Sequence, residues 1–222
     1  MRVSRVLAHG AKFLIPAAFT FSCTVAQQPT PLPGQAELPP AGYGTLGQDD
    51  IGISLETPDF LIGVIPLNEG VIRLLAPDTY QSMHRLLESK ADELADAARR
   101  HGISSPSVFL VSFFGKQTRA LFDAEALTIT GQNRLFWPRA FVPLSPSFGD
   151  RQVSQRERAY AIYVYEDGLR LFDPFTLEYD GVSTNEWERI LRTLDRERAI
   201  VVARAAAANR DTTTSRPPST PW

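Results

Sequence analysis

Ala159-Tyr160-Ala161-Ile162-Tyr163-Val164-Tyr165, then Glu166-Asp167-Gly168, then Leu169-Arg170-Leu171-Phe172, is the stretch that decides how the chain reads. The first run is β-branched and aromatic, the residue types that suit a pleated, half-buried surface. An Asp-Gly pair between two apolar runs predicts a hairpin, because a two-residue turn needs positive φ at both central positions. Hairpins join antiparallel neighbours, whereas parallel strands need a long crossover. Phe175, Leu177 and Tyr179 then continue with a period of two.

Upstream, Val108 to Phe114 is almost continuously apolar and predicts a central strand. Ala126 to Thr130 alternates, with Gly131-Gln132-Asn133 as the turn after it. Leu135 to Leu144 is extended but carries Pro138 and Pro143, which confines it to a sheet edge. Nearer the start, Ile51, Ile53 and Leu55 alternate, and Phe60 to Ile65 is apolar on both faces. Asn68-Glu69-Gly70 reads as a turn into a returning strand, Val71 to Leu75.

Two helices interrupt the strands. The first opens near Asp78, with Gln81 at capping-box spacing and Pro77 beside it. Tyr80, Met83, Leu87, Ala91, Leu94 and Ala98 draw its apolar stripe, and Gly102 supplies the left-handed stop. The second starts at Ser183 with Glu186 three residues on, and Trp187, Ile190, Leu191, Leu194, Val201 and Val202 form its buried side. Glu188 and Arg192 make an outward i,i+4 pair. The pattern predicts an α+β fold: an antiparallel β-sheet or sandwich of about seven to nine strands with two amphipathic helices.

The ends read differently. Arg2, Arg5 and Lys12 form a basic head, and the apolar run Phe13 to Phe21 is too short for a membrane span. Residues 1–26 therefore read as a secretion signal, and the protein as exported to the periplasm or the cell exterior. The single cysteine, Cys23, follows Ser22 where the apolar run stops, so cleavage before it would create a lipid anchor. Ordinary cleavage after Thr24-Val25-Ala26 is the rival reading. Residues 27–48 hold five prolines and read as a flexible linker, 49–208 as one globular domain, and 209–222 as a disordered tail. This plan resembles bacterial secreted proteins over its first 50 residues, and the resemblance carries no functional residue.

One cysteine leaves no internal disulfide, so the core alone holds the domain. Formal charge is −2, and removal of residues 1–22 with their three basic groups takes it to −5, which argues against nucleic acid or anionic lipid as a partner. The expected membrane contact is the N-terminal lipid alone.

Catalytic chemistry finds little support. His84 and His101 both fall on the first predicted helix, about 25 Å apart along its axis, so one helix cannot bring both to a metal. No Gly-x-Ser-x-Gly elbow, Gly-x-Gly-x-x-Gly motif or phosphate-binding loop occurs. The expectation is therefore no catalytic residue, no metal and no cofactor. Asp173, Glu178 and Asp180 lie within eight residues and support a carboxylate-dependent envelope hydrolase as the alternative. The favoured reading is a non-catalytic protein that binds a protein or envelope component. Phe136, Trp137, Arg139, Phe141 and Phe148 are its candidate contact residues, because aromatics and arginine are enriched at interface cores.

Overall fold

The computed structural model describes residues 38–214, with side chains to residue 210. Cys23, the expected signal, most of the expected linker and the stretch from 215 onward lie outside the described residues.

Strands β1 (Ile53–Glu56), β2 (Phe60–Pro66) and β3 (Ser107–Gly115) join β9 (Arg158–Tyr165) and β7 (Pro138–Pro143) in one five-stranded sheet, in that spatial order. A second sheet orders β11 (Val182–Thr184), β10 (Phe175–Tyr179), β5 (Thr128–Gly131) and β6 (Arg134–Phe136). A third pairs β4 (Arg119–Leu121) with β8 (Gln152–Ser154). Every pairing in these sheets is antiparallel. The described helices are α1 (Gln48–Ile51), α2 (Glu69–Ile72), α3 (Pro77–Ser89), α4 (Ala91–Arg100), α5 (Pro146–Gly149) and α6 (Glu186–Thr214), with a 3-10 turn at Ala124–Ala126. The class is α+β as expected. Among the described residues, the eleven strands and six helices exceed the expected counts, because short strands and single-turn helices leave no period in a sequence.

The two larger sheets face each other. Leu55, Ile62, Phe113 and Ala159 stand in register across the first, as do Ile53, Val64, Val111 and Ala161. Leu177, Ile129 and Phe136 line up across the second. The rows meet through aromatic edges: Phe109 lies 6.3 Å from Phe175, and Tyr179 lies 5.7 Å from Phe113. Phe122 closes one end of this core by stacking on Phe113 at 4.4 Å. Tyr165 is fully buried and its hydroxyl donates to the Leu127 carbonyl, so burial raises its pKa far above the ordinary tyrosine value. Edge-to-face pairs of this kind add about 0.5–1.5 kcal/mol each beyond the area they bury.

Several local expectations hold. β3 is central and β7, bounded by its two prolines, is an edge strand. Gln132 and Asn133 both have positive φ, the requirement of a two-residue hairpin turn. At the end of α4, Gly102 takes φ +65°, its amide donates to Arg99, and the Ile103 amide donates to Ala98, which completes a Schellman stop.

Others are corrected. The Asp167-Gly168 hairpin does not form, and Leu169 to Phe172 is not a strand. Of that pair, Gly168 alone has positive φ. Both flanks of β9 are already taken by β3 and β7, so a returning strand has no free edge to join. Asn68-Glu69-Gly70 opens the helical turn α2 rather than a strand, because the Asn68 side chain accepts from the Gly70 amide as an N-cap. The first predicted helix is two: the chain breaks at Lys90 (φ −112°, ψ 8°), which puts Ala91 on the exposed side while Met83, Leu94 and Ala98 stay buried. Asp78 lies inside the first turn, with Ala76 at the cap and Pro77 leading the helix. Ser183 belongs to β11, and α6 begins at Glu186, whose amide donates to the Thr184 hydroxyl.

Packing also reaches beyond the expected limits of the domain. The Leu46 amide donates to Leu74 and its carbonyl accepts from Ala76. Gly44 is pressed so close that a Cβ there would sit 2.2 Å from the Leu74 carbonyl, a contact glycine alone permits. At the other end, α6 continues through residue 214, past the expected boundary at 208.

Candidate functional site

The chain crosses from one large sheet to the other at Trp137, between edge strands β6 and β7. Alternation along β6 turns Phe136 inward, 1% exposed, and leaves Leu135 and Trp137 outside at 42% and 46%. Arg134 lays its guanidinium over the Phe136 ring at 4.8 Å. Its Nη2 reaches Glu166 Oε1 at 2.9 Å, while Arg139 grips Oε2 through Nη2 at 2.7 Å and Nε at 3.2 Å. Glu166 follows the last residue of β9, so three strand ends supply this triad.

The triad floors an open cleft of about 390 Å³, walled by His101 to Ile103 after α4 and by Asp167. Asp167 is committed to structure, accepting from the Ser104 and Ser105 amides at 3.0 and 2.7 Å, and those bonds lower its pKa. Hydrogen bonding from Arg139 holds the Glu166 carboxyl below the usual glutamate range despite partial burial. The triad therefore stabilises the domain above the unfolded glutamate value of about 4.3, and that stabilisation is lost as pH falls through the lower folded value. Glu166→Gln is expected to flatten that acid limb of a melting-temperature profile. An unchanged limb would mean that the arginines hold the corner without the carboxylate.

The five candidate contact residues therefore separate. Trp137 and Arg139 are at the surface. Phe136 and Phe148 belong to the core, 1% and 2% exposed. Phe141 is half-buried, 4.8 Å from Tyr163 and beneath the Arg151 guanidinium. The sequence pattern marks the segment from Leu135 onward but not Arg134, although its place two residues before Phe136 on an alternating strand is a usable signal.

The carboxylates of the alternative reading occupy different settings. Asp173 pairs with Arg170 at 2.8 Å, Glu178 stands on the outer face of β10, and Asp180 sits in a turn with φ +48°. None of them lines the cleft.

A second polar cluster escaped sequence reading because its members come from two helices. Glu69 of α2 accepts from Arg73 Nε at 2.6 Å and meets His84 Nδ1 of α3 at 2.7 Å. Partial burial pushes the Glu69 carboxyl up, but bonds from Arg73 and His84 outweigh this and leave it below its ordinary value. His84 Nε2 lies 3.3 Å from Glu88 Oε1. Among the described residues, no group of three or more His, Cys, Asp or Glu is placed to hold a metal ion, and no helix is long and apolar enough to cross a membrane.

Comparison with protein-family models, curated proteins and solved structures gives no match to this chain.

Proposed function

We propose that this chain is an exported cell-envelope protein, anchored by a lipid on Cys23, whose domain binds a protein or envelope component without catalysis. The observation that carries the binding reading is the β6–β7 corner, where an indole 46% exposed follows the buried Phe136 in a segment flanked by an arginine pair fixed by Glu166. An exposed tryptophan in the same segment as guanidinium groups preorganised by a carboxylate matches the composition of binding hot spots. The basic head, the apolar run and the position of Cys23 support export and anchoring.

A photo-crosslinking residue at Trp137, placed in the native envelope fraction, is expected to give a discrete adduct. Trp137→Ala should weaken capture of that partner by roughly 30-fold, a loss of about 2 kcal/mol, while moving the melting temperature by less than about 2 °C. A large fall in melting temperature with unchanged capture would return the indole to the domain's own packing. The intact mass of the mature protein tests the anchor, since an acylated product beginning at Cys23 is expected. A product beginning at Gln27 would overturn the anchor.

A further inference from the structure

We infer that the open edge of β6 takes up an extended, acidic segment of a partner protein as an added strand. The inference rests on the binding reading of the β6–β7 corner and names the kind of partner. Gly131 pairs with Arg134 across the two-residue turn Gln132-Asn133, so these flanking residues exchange hydrogen bonds. Antiparallel pairs alternate between bonded and unbonded, which leaves the next pair, Thr130 with Leu135, unbonded. The Leu135 N–H and carbonyl therefore point away from β5, and nothing among the described residues pairs with them. The Trp137 amide, two residues further along the same edge, also lacks a partner among the described residues. Outward backbone groups at alternate residues are the repeat that an incoming strand needs.

The other edges of the two large sheets are blunted or covered. β7 carries a proline at each end and a register shift between Pro138 and Ala140, both devices that discourage strand addition. The Ser54 amide of β1 donates to Glu186 Oε2 at 3.0 Å, and β11 abuts β1. β6 has no proline within it, and Leu135 and Trp137 stand exposed on its outer face. Alternate side chains of an added strand would share the face of Arg134 and reach the cleft beside it. The chemistry there favours a carboxylate. Glu166 engages Arg139 through Nε and Nη2 and Arg134 through Nη2, while Arg134 Nη1 donates to the Asp167 carbonyl. Arg139 Nη1 and Arg134 Nε are left without an acceptor among the described residues. One carboxylate shared by two guanidinium groups leaves the triad with a net positive charge, and Asp167 is turned to the Ser104 and Ser105 amides. An Asp or Glu side chain of the added strand supplies the missing acceptor.

The test pans a random peptide library displayed on phage against the full chain, then follows one enriched peptide by calorimetry and amide exchange. Enriched peptides are expected to alternate β-branched or aromatic residues with polar ones and to carry Asp or Glu. Binding should slow exchange of the Leu135 and Trp137 amides at least about tenfold and leave β3 amides unchanged. Arg139→Gln should weaken the peptide about tenfold, as should replacing the peptide's acid by its amide. Leu135→Pro removes an outward N–H and no ladder bond, so it should abolish binding with β5 amides still protected. If that variant fails to fold, the Leu135 amide of the parent decides by itself. A Trp137-dependent peptide that leaves this amide at its free rate would overturn strand addition and spare the binding reading. Enriched peptides without acidic residues would overturn the acidic partner. A library that yields no Trp137-dependent peptide, while Trp137 still crosslinks in the envelope, would assign the corner to a non-peptide component and overturn the inference alone. Loss of both would retire the binding reading itself. A concentration-dependent dimer that protects the same amide without peptide would put a second copy on the edge and overturn the inference.

Discussion

Trp187→Ala is expected to destabilise the domain by about 3–5 kcal/mol, the range for removing a fully buried large aromatic. The indole is 1% exposed, stacks on Phe175 at 5.2 Å and donates Nε1–H to the Leu171 carbonyl at 2.8 Å. It therefore fastens three things at once: the start of α6, the second sheet through β10, and the irregular segment 169–172. Truncation leaves a cavity that the surrounding sheet cannot fully collapse into, and a buried carbonyl without a donor. Trp187→Phe separates the two losses, because it keeps the stack and removes the N–H. About 1–3 kcal/mol is expected from that variant. Urea unfolding read by far-ultraviolet dichroism measures both. A loss below about 1 kcal/mol for Trp187→Ala would mean that α6 is docked chiefly by Ile190, Leu194 and Val201, which are also buried.

The same segment shows where sequence reading succeeds and where it stops. The runs at 108–114 and 159–165 were legible as strands because burial of one face and partial cover of the other leave few polar residues in them, and they became the centre of the first sheet. The β7 edge was legible because proline has no N–H to donate into a ladder and so sits on an edge strand. Asp167-Gly168 misled because local turn chemistry says nothing about whether a neighbouring edge is vacant. The apolar residues Leu169 and Leu171 are indeed buried, but their carbonyls are satisfied by side chains, from Ser107 Oγ and Trp187 Nε1, rather than by a strand. Those donors are 62 and 16 residues away, beyond the reach of any local pattern. The surface corner was legible in part for the same reason: aromatic and arginine content marked the segment, but strand phase decided that Trp137 faces out while Phe136 faces in. The pairing of Glu69 with His84 spans α2 and α3, so helix periodicity alone could not find it.

Glu197 is the residue whose loss should most change the start of the domain. Its side chain is 7% exposed, and its Oε1 accepts from the Thr45 amide at 2.9 Å, the Thr45 hydroxyl at 2.8 Å and Arg204 Nη1 at 3.2 Å. Arg204 also donates to the Tyr43 carbonyl at 3.0 Å, so α6 holds residues 43–45 through one carboxylate and one guanidinium. A buried charge in this position is favourable only while its donors stay in place. Removing the carboxylate takes the acceptor from the Thr45 N–H and hydroxyl and frees Arg204, so Glu197→Ala is expected to cost about 1–3 kcal/mol and to lower the melting temperature by several degrees. Glu197→Gln retains an acceptor of the same shape and loses the charge, and about 1 kcal/mol is expected from it. The local signature distinguishes this clasp from general loosening: exchange of the Thr45 and Leu46 amides should accelerate well before that of β3 amides. If those amides exchange at the parent rate in Glu197→Ala, the backbone pairing of Leu46 with Leu74 and Ala76 holds the segment by itself. The clasp would then be a consequence of that pairing rather than its cause.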